Sequence, residues 1–294
     1  MAHRSAKHLI EKMRSEPIII ATIRAETGEE FLGKASMAKT LGADAVELRI
    51  DMLRPSERIC IPDMVQMSER PVVATCRKEA DGGRYNEGEE ERVALQKEAM
   101  EYGAQFVDIE ANASASVRGE LVKAAIRNDA KIIMSKHDNG MPQLRQMRSI
   151  FKDVHALPHD MIKMVFTPQS QLDALRLLDA AQSMRMHRKP YTVFGMGEYG
   201  RPTRIFSLLM GGSFMYCSLE SNGRNGNLYQ VSVSDMRETF KLIGNPVSWR
   251  RIRKEPEWVR SLAEEWSVVS NDTYNNVAVL KRKIREELDT LFTQ

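Results

Sequence analysis

The nine residues Asp160-Met161-Ile162-Lys163-Met164-Val165-Phe166-Thr167-Pro168 form a short apolar run that one lysine interrupts. A run of this length closed by Thr-Pro predicts a buried strand. Burying an ammonium group is costly, and a lowered pKa relieves that cost by leaving a neutral, nucleophilic amine. The alternative is a lysine that extends from the strand end to solvent, and these nine residues alone favour it.

Seven other runs have the same strand-like character. They are 18–22, 45–51, 72–77, 106–110, 131–135, 191–194 and 214–218. Helical patterns separate many of them: Phe31, Ala35, Ala38 and Leu41 before Gly42; Val93, Leu95, Ala99 and Met100 before Gly103; Leu144, Met147, Ile150, Phe151 and Val154 in a helix starting at Pro142; Leu172, Leu175 and Leu178; and residues 234–243. Eight strands alternating with helices predict an α/β fold, a (β/α)8 TIM barrel.

Chemically distinctive residues fall at or just past the C-terminal ends of these strands. They are Thr22, Glu47, Arg49, Arg77, His137, Lys163, Met196 to Glu198 and Ser218. In a (β/α)8 barrel these strand ends converge on the active-site face. Exposed strand ends are polar in any case, but that alternative does not predict glutamate, two arginines, a histidine and a lysine on different strands. The pattern therefore favours an active site.

Composition narrows the class of protein. The chain of 294 residues carries 43 basic and 40 acidic side chains, a formal charge of +3, so its overall balance shows no polyanion-binding signature, and no nucleic-acid partner is expected. Cys60, Cys76 and Cys217 are far apart, which argues against zinc and disulfides and fits a reducing cytosol. Residues 1–17 lack a signal-peptide core, and no apolar run approaches the ~20 residues of a membrane span. We expect a soluble cytoplasmic protein.

A glycine motif offers a competing interpretation. Gly195-Met196-Gly197-Glu198-Tyr199-Gly200 is a GxGxxG sequence after a strand, and Glu220 follows at the distance of a ribose-binding acid. The fingerprint normally opens the first βαβ unit of a chain, whereas six strand–helix units precede it here. Pro202 and Arg204 also occupy the start of the helix that would hold a pyrophosphate. NAD(P)-dependent oxidoreduction remains the second hypothesis.

In order and spacing, several motifs resemble those of the type I 3-dehydroquinate dehydratases, the Schiff-base lyases of the shikimate pathway. They are Val46 to Asp51, Thr75-Cys76-Arg77 with Gly82-Gly83 downstream, Val107 to Glu110, Met134 to Asp138, Ile162-Lys163, and Met196-Gly197 with Arg204. The resemblance covers residues 18–243 and implies a (β/α)8 barrel, no cofactor, no metal and commonly a homodimer.

The resemblance also implies the reaction and its principal residues. Lys163 matches the lysine that forms an imine with the C3 ketone of 3-dehydroquinate. His137 matches the histidine that removes a C2 proton and later protonates the departing C1 hydroxyl. For attack at neutral pH the amine pKa must fall from about 10.4 to about 7–8, and Arg49 or Arg77 is expected to assist burial in lowering it.

The remaining matched positions imply a substrate pocket. Arg204 is expected to hold the carboxylate, because a guanidinium binds carboxylates bidentately. Glu47, Arg49 and Arg77 are expected to bind the hydroxyl side, and the pocket is completed by Thr22, Met196, Tyr216 and Gln230. Two alternatives stay open: Glu47 and Arg49 as a structural ion pair, and His137 as a hydrogen-bonded loop residue.

The chain departs from the family pattern at two places within the barrel and in the extension beyond it. Asp81 stands where the family usually has a glutamate that orients the catalytic histidine. The loop from Glu220 to Gln230 is longer than the family's Ser-Ala-Pro-Gly-Gln loop, and Ser221 is the candidate for its serine. A catalytically silent barrel is therefore a third hypothesis.

Residues 1–243 are expected to form the catalytic barrel, and 244–294 a helical extension, with an amphipathic helix over 277–292, packed on the barrel or a dimer partner.

Overall fold

The computed structural model of the protein describes residues 5–184, 189–220 and 229–243. The predicted extension 244–294, with its amphipathic helix, lies outside the described residues. So does the segment 221–228, which contains Ser221.

Eight strands form one parallel sheet. They are β1 (Ile18–Ile23), β2 (Ala45–Arg49), β3 (Val72–Thr75), β4 (Phe106–Glu110), β5 (Lys131–His137), β6 (Met161–Phe166), β7 (Tyr191–Gly195) and β8 (Phe214–Cys217). Their order is β7-β6-β5-β4-β3-β2-β1-β8, so each strand pairs with its predecessor and β8 returns to β1. At the seam, the Ser213 backbone N–H donates to the Tyr191 carbonyl at 2.7 Å. The predicted (β/α)8 barrel is confirmed.

Helices connect the strands and cover the outside of the barrel. They are α1 (Ala6–Lys12), α2 (Gly28–Thr40), α3 (Ile61–Met67), α4 (Glu89–Glu101), α5 (Ala115–Arg127), α6 (Leu144–His155), α7 (Gln171–Ser183), α8 (Gly197–Gly200), α9 (Thr203–Leu209) and α10 (Val233–Ile243). Gly42 follows α2 with a φ of +94°, as a helix-ending glycine does. Among the described helices, none is long and apolar enough to cross a membrane.

Two predicted helices differ in detail from the structure. Helix α6 begins at Leu144 and not at Pro142, because Gln143 keeps an extended backbone and its N–H donates to the Gln146 side chain at 2.9 Å. Helix α7 buries Leu177, Ala180 and Ala181, whereas Leu172 and Leu175 of the predicted apolar stripe are exposed. The apolar stripe on α7 is wider than the face that the barrel covers, so spacing alone could not select the buried side.

Both faces of the strands are buried. All residues of β1, β2, β3, β4, β6, β7 and β8 are buried, as expected for parallel strands with side chains inside the barrel and helices outside. On β6, Ile162, Met164 and Phe166 pack in the cluster that includes α6 and α7, whereas Met161 and Val165 belong to the other cluster. Strand alternation therefore directs Lys163 into the barrel.

Candidate active site

Lys163 lies in a layer of four side chains from alternate strands. Glu47, Asp108 and Tyr216 come from β2, β4 and β8, and alternate strands supply the layers inside such barrels. Lys163 Nζ lies 3.2 Å from Asp108 Oδ2, 3.8 Å from Glu47 Oε1 and 3.9 Å from the centroid of the Tyr216 ring. With Lys163 only 5% exposed, the alternative of a lysine that reaches solvent does not hold.

Opposing effects act on the Lys163 amine. Burial lowers its pKa, the Asp108 and Glu47 carboxylates raise it, and the Arg77 guanidinium lowers it. The net pKa lies below the ordinary lysine value of 10.5. Arg77 therefore assists burial as the sequence suggested, and the two carboxylates limit the shift. The result is an amine that gives up its proton more readily than a surface lysine.

Asp108 holds the centre of the site together. Its carboxylate accepts hydrogen bonds from Arg77 Nη2 at 2.8 Å, Ser135 Oγ at 2.5 Å and Lys163 Nζ at 3.2 Å. Burial raises the pKa of this carboxyl, but Arg77 and Lys163 outweigh burial, so the pKa lies below 3.8. Asp108 is therefore ionised next to the lysine, and it links Lys163 to Arg77 through one carboxylate.

His137, the last residue of β5, bonds to the same arginine. Arg77 Nη1 lies 2.9 Å from His137 Nδ1. Because a guanidinium has only donors, Nδ1 accepts this hydrogen bond, and the neutral ring then carries its proton on Nε2. Burial, with Arg77 and Lys163, lowers the pKa of His137 well below 6.5. The imidazole is therefore neutral at neutral pH, as a general base must be.

Glu47 and Arg49 have different partners. Glu47 accepts a hydrogen bond from Thr75 Oγ1 at 2.9 Å, whereas Arg49 makes a two-pronged pair with Asp51, with N–O distances of 2.9 and 2.7 Å. Asp51 also accepts from the Arg84 backbone N–H at 3.1 Å. The alternative of a Glu47–Arg49 structural pair is thus not the arrangement found, and Asp51 ties Arg49 to the loop after β3.

Asp81 lies in the loop after β3, but its hydrogen bond goes elsewhere. Its Oδ1 accepts from Asn112 Nδ2 at 2.8 Å, and the partner of the His137 ring is Arg77. Gly83 brings this loop against the strand end, since a Cβ there would lie 2.0 Å from the Arg77 carbonyl oxygen. The orienting role of Asp81 stays a prediction.

Arg204 on α9 is a buried cation that lacks a carboxylate. Its Nη1 donates to the Tyr216 carbonyl at 3.2 Å, its guanidinium carbon lies 4.3 Å from the centroid of the Phe194 ring, and its buried Nε has no hydrogen-bond partner. Burial lowers its pKa to about 10. In the part of the chain that the structure describes, no acidic side chain pairs with it. A ligand carboxylate would supply the missing charge.

Three other predicted pocket residues lie on the same side of the barrel. Gln230 Nε2 donates to Thr22 Oγ1 at 3.3 Å, which joins the segment after β8 to β1. The Met196 N–H donates to the Phe166 carbonyl at 2.8 Å, just past β7. These contacts place Thr22, Met196 and Gln230 at the C-terminal end of the barrel.

Comparison with known proteins identifies the family of this chain. Residues 19–246 match the family described as type I 3-dehydroquinase. The chain belongs to this family. A 3-dehydroquinate dehydratase of Dehalococcoides mccartyi is 30% identical over 79% of this chain and 97% of its own length, and one of Methanosarcina mazei is 31% identical over 73% and 91%.

Solved structures agree in fold. The type I 3-dehydroquinate dehydratase of Clostridium difficile superposes with a TM-score of 0.71 at 22% identity, covering 78% of this chain and 93% of that one. The 3-dehydroquinate dehydratase of Enterococcus faecalis gives a TM-score of 0.69 at 26% identity, covering 78% and 94%.

The GxGxxG sequence of this 3-dehydroquinase has a packing role. A Cβ on Gly195 would lie 2.6 Å from Gly200 Cα, and one on Gly200 would lie 2.3 Å from the Gly195 carbonyl carbon. The Gly195 N–H donates to Thr203 Oγ1 at 2.8 Å. Helix α8 spans only four residues, so the motif forms a tight link between β7 and α9 in place of the long helix that dinucleotide binding uses.

Two residues of the 3-dehydroquinase site received no role from the sequence. Asp108 and Glu110 are acidic residues at alternate positions of a buried strand, and Glu110 accepts from Arg92 Nη1 at 2.9 Å and from Arg77 Nη1 at 3.4 Å. Buried carboxylates need partners. Alternating acids in an apolar strand were therefore a signal for the arginine network.

Proposed function

We propose that this 3-dehydroquinase dehydrates 3-dehydroquinate to 3-dehydroshikimate in the shikimate pathway, through an imine between Lys163 and the C3 ketone. The observation that carries the proposal is the buried lysine with a lowered pKa. A desolvated amine of this kind is the usual activated nucleophile toward a carbonyl group.

The ammonium and ketone supply every atom of the imine step. The neutral amine adds to the carbonyl carbon, and a C–N bond forms. Two of the three ammonium hydrogens finally leave with the ketone oxygen as water, and the third stays on the nitrogen with the positive charge. That cation then accepts the electron pair released when the neighbouring C–H bond breaks.

His137 serves as the base and then as the acid. Its Nδ1 takes the C2 proton once Arg77 Nη1 releases that atom, and the electrons of the C–H bond form an enamine. The same proton then goes to the C1 hydroxyl, which leaves as water when the enamine electrons return. Hydrolysis of the product imine frees Lys163. The lowered pKa of His137 supports this role, because a neutral ring is available at neutral pH.

Substrate binding divides between two sides of the pocket. The unpaired Arg204 takes the carboxylate, as its missing counter-charge suggests. Glu47, Arg49 and Arg77 bind the hydroxyl side. Thr22, Gln230, Met196 and Tyr216 complete the pocket. Asp81, whose Oδ1 accepts from Asn112 in the structure, is proposed to orient His137 once substrate is bound.

Turnover tests the proposal directly. Formation of the conjugated enone product is followed by its ultraviolet absorbance in the wild type, in Lys163→Met and in Lys136→Met. Lys136 is the matched control, because it lies on the adjacent strand β5 in register with Met164, which faces outward. We expect turnover in the wild type and the control and none in Lys163→Met. Absence of turnover in the wild type would support a catalytically silent barrel.

We propose a cytoplasmic homodimer. Support for dimerisation comes from exposed apolar residues on adjacent helices, Leu172 and Leu175 on α7 and Phe206 on α9. Support for a reducing compartment comes from the three cysteines, all of which are free thiols. Light scattering after size exclusion tests the dimer.

A further inference from the structure

Tyr216 presents the face of its ring to the nitrogen that would react. Lys163 Nζ lies 3.9 Å from the ring centroid, and the two residues are 5% and 2% exposed. The face of an aromatic ring carries negative potential, and its attraction for a cation grows when both groups leave water. The contact therefore stabilises the positively charged forms of this nitrogen over the neutral ones.

The ring is held in place by contacts that do not involve a substrate. Phe214 meets it edge to face, with ring centroids 6.1 Å apart and planes at 67°. The Tyr216 carbonyl accepts from Arg204 Nη1 at 3.2 Å, and the residue pairs with Ile20 in the sheet. An aromatic face fixed before the reaction costs no reorganisation when charge develops next to it.

We propose that Tyr216 is a catalytic residue, whose ring face stabilises the positive charge that develops on the Lys163 nitrogen as the imine forms. The inference rests on the proposed function, because only an attacking Lys163 produces that imine. After the C–N bond has formed, the C–O bond breaks and the oxygen leaves as water. The nitrogen lone pair becomes the second bond to carbon, and the nitrogen keeps one hydrogen and the charge.

The two halves of the reaction respond differently to the ring. Charge appears on the nitrogen when water leaves the addition product, so the ring accelerates that step. Charge disappears when the C2–H bond breaks and the electron pair moves toward nitrogen, so the ring does not help that step. A weaker ring face therefore slows imine formation and shifts the rate limit toward it.

Other charged groups face the same nitrogen and stay constant in the test. They are Asp108 from β4, Glu47 from β2, Arg77 after β3 and His137 from β5. The ring favours the ammonium form as well as the imine cation. A weaker ring face should therefore shift the acidic limb of the pH profile for imine formation to lower pH. It should also lower the pH-independent rate on the plateau above that limb.

Replacement of Tyr216 by phenylalanine and then by mono-, di- and trifluorinated phenylalanines weakens the ring face stepwise and keeps its shape. The rate of imine formation is measured by quenching with borohydride at successive times and counting substrate adducts on the intact protein. On the plateau we expect a steady decline with fluorine number, reaching roughly tenfold at three fluorines, or about 1.4 kcal/mol. The deuterium isotope effect from C2 should shrink in parallel.

Phe106→Leu is the control for loss of a buried ring. Phe106 lies on β4, inside the barrel and two residues before Asp108, and no ring contact joins it to Tyr216 in the described residues. It should keep the imine-formation rate, with thermal unfolding reporting any loss of stability.

The outcomes separate this inference from the proposed function. A wild type that forms no adduct contradicts the function. A wild type that forms the adduct with rates independent of fluorine number contradicts only the role of the ring. A loss confined to the change from tyrosine to phenylalanine, with a flat series afterwards, would assign the effect to the hydroxyl and overturn the proposal.

Discussion

At the scale of single residues, the site depends on which buried cations have a carboxylate. Arg49 has Asp51, Arg77 has Asp108, and Arg92 has Glu110. Arg204 faces an aromatic ring and a carbonyl instead. A buried cation without an anion is costly in a free protein, and a carboxylate ligand relieves that cost. We therefore propose that the acid end of the substrate binds at α9.

Removing this cation should weaken substrate capture. Arg204→Leu is expected to lower kcat/KM by roughly 10- to 100-fold, because a hydrogen bond to a charged group contributes about 1.5–3 kcal/mol. Arg201→Leu is the matched control, since Arg201 is exposed three residues away. Steady-state kinetics on both variants measure the difference. Equal kcat/KM values for the two variants would place the carboxylate elsewhere.

The neutral state of His137 should make the unfolding free energy of the protein depend on pH. Its folded pKa lies below the ordinary 6.5 because of burial and Arg77. As pH falls below about 6.5, the unfolded chain takes up a proton that the folded chain does not, so the unfolding free energy falls. Urea unfolding between pH 7 and 5 should show this decline, and His137→Asn should reduce it. An identical decline in the variant would contradict the lowered pKa.

Sequence reasoning identified the chemistry of single residues better than their partners. Lys163 and His137 stand out at strand ends, and the resemblance to the family implied the roles of Lys163, His137 and Arg204. Asp108 escaped assignment because its significance arises from three bonds, to Arg77 just after β3 and to residues on β5 and β6. The contact of Asp81 with Asn112 also depends on loop geometry that spacing does not encode.

At the scale of elements, the link between β7 and α9 positions Arg204. Gly195 and Gly200 approach so closely that neither has room for a Cβ, and Thr203 Oγ1 bonds to the Gly195 N–H and the Gly200 carbonyl. This packing places the start of α9 against the end of β7. The glycine pattern that suggested a dinucleotide loop is a requirement of this turn.

Alanine substitution should destabilise this turn but not a glycine that has room for a Cβ. Gly200→Ala is expected to lower the thermal midpoint clearly, because its Cβ meets backbone atoms that cannot move aside. Gly33→Ala on α2 meets nothing within 4 Å and should raise stability by up to about 1 kcal/mol through helix propensity. Circular dichroism melting compares the two. A Gly200→Ala variant as stable as the wild type would refute the packing role.

The elements themselves were mostly predictable. All eight strands follow from short apolar runs, since parallel strands buried on both faces give that pattern. Helices α3 and α5 escaped prediction although Ser114 caps α5 by accepting from the Val117 N–H at 3.2 Å. The exposed leucines of α7 show that an apolar stripe does not identify the side facing the barrel.

At the scale of the whole molecule, the described site residues lie between Thr22 and Gln230, within the stretch 19–246 that matches the family. The Dehalococcoides relative is matched over 97% of its length by 79% of this chain. We propose that residues 244–294 are a separate extension that the chemistry does not need.

Truncation tests whether the barrel works without residues 244–294. A chain ending at Pro246 should fold and dehydrate 3-dehydroquinate with unchanged kcat, because no described site residue is removed. Far-UV circular dichroism and the ultraviolet assay measure folding and turnover. A truncated chain that folds but has lost turnover would show that the extension contributes to the site.

The central claim is that the Lys163 nitrogen becomes covalently bound to the substrate. Borohydride added during turnover of 3-dehydroquinate reduces the imine to a stable amine, and peptide mass spectrometry locates the adduct. We predict one adduct, on the peptide containing Lys163, and no adduct in Lys163→Met. An unmodified protein under active turnover, or an adduct on another lysine, would contradict the account.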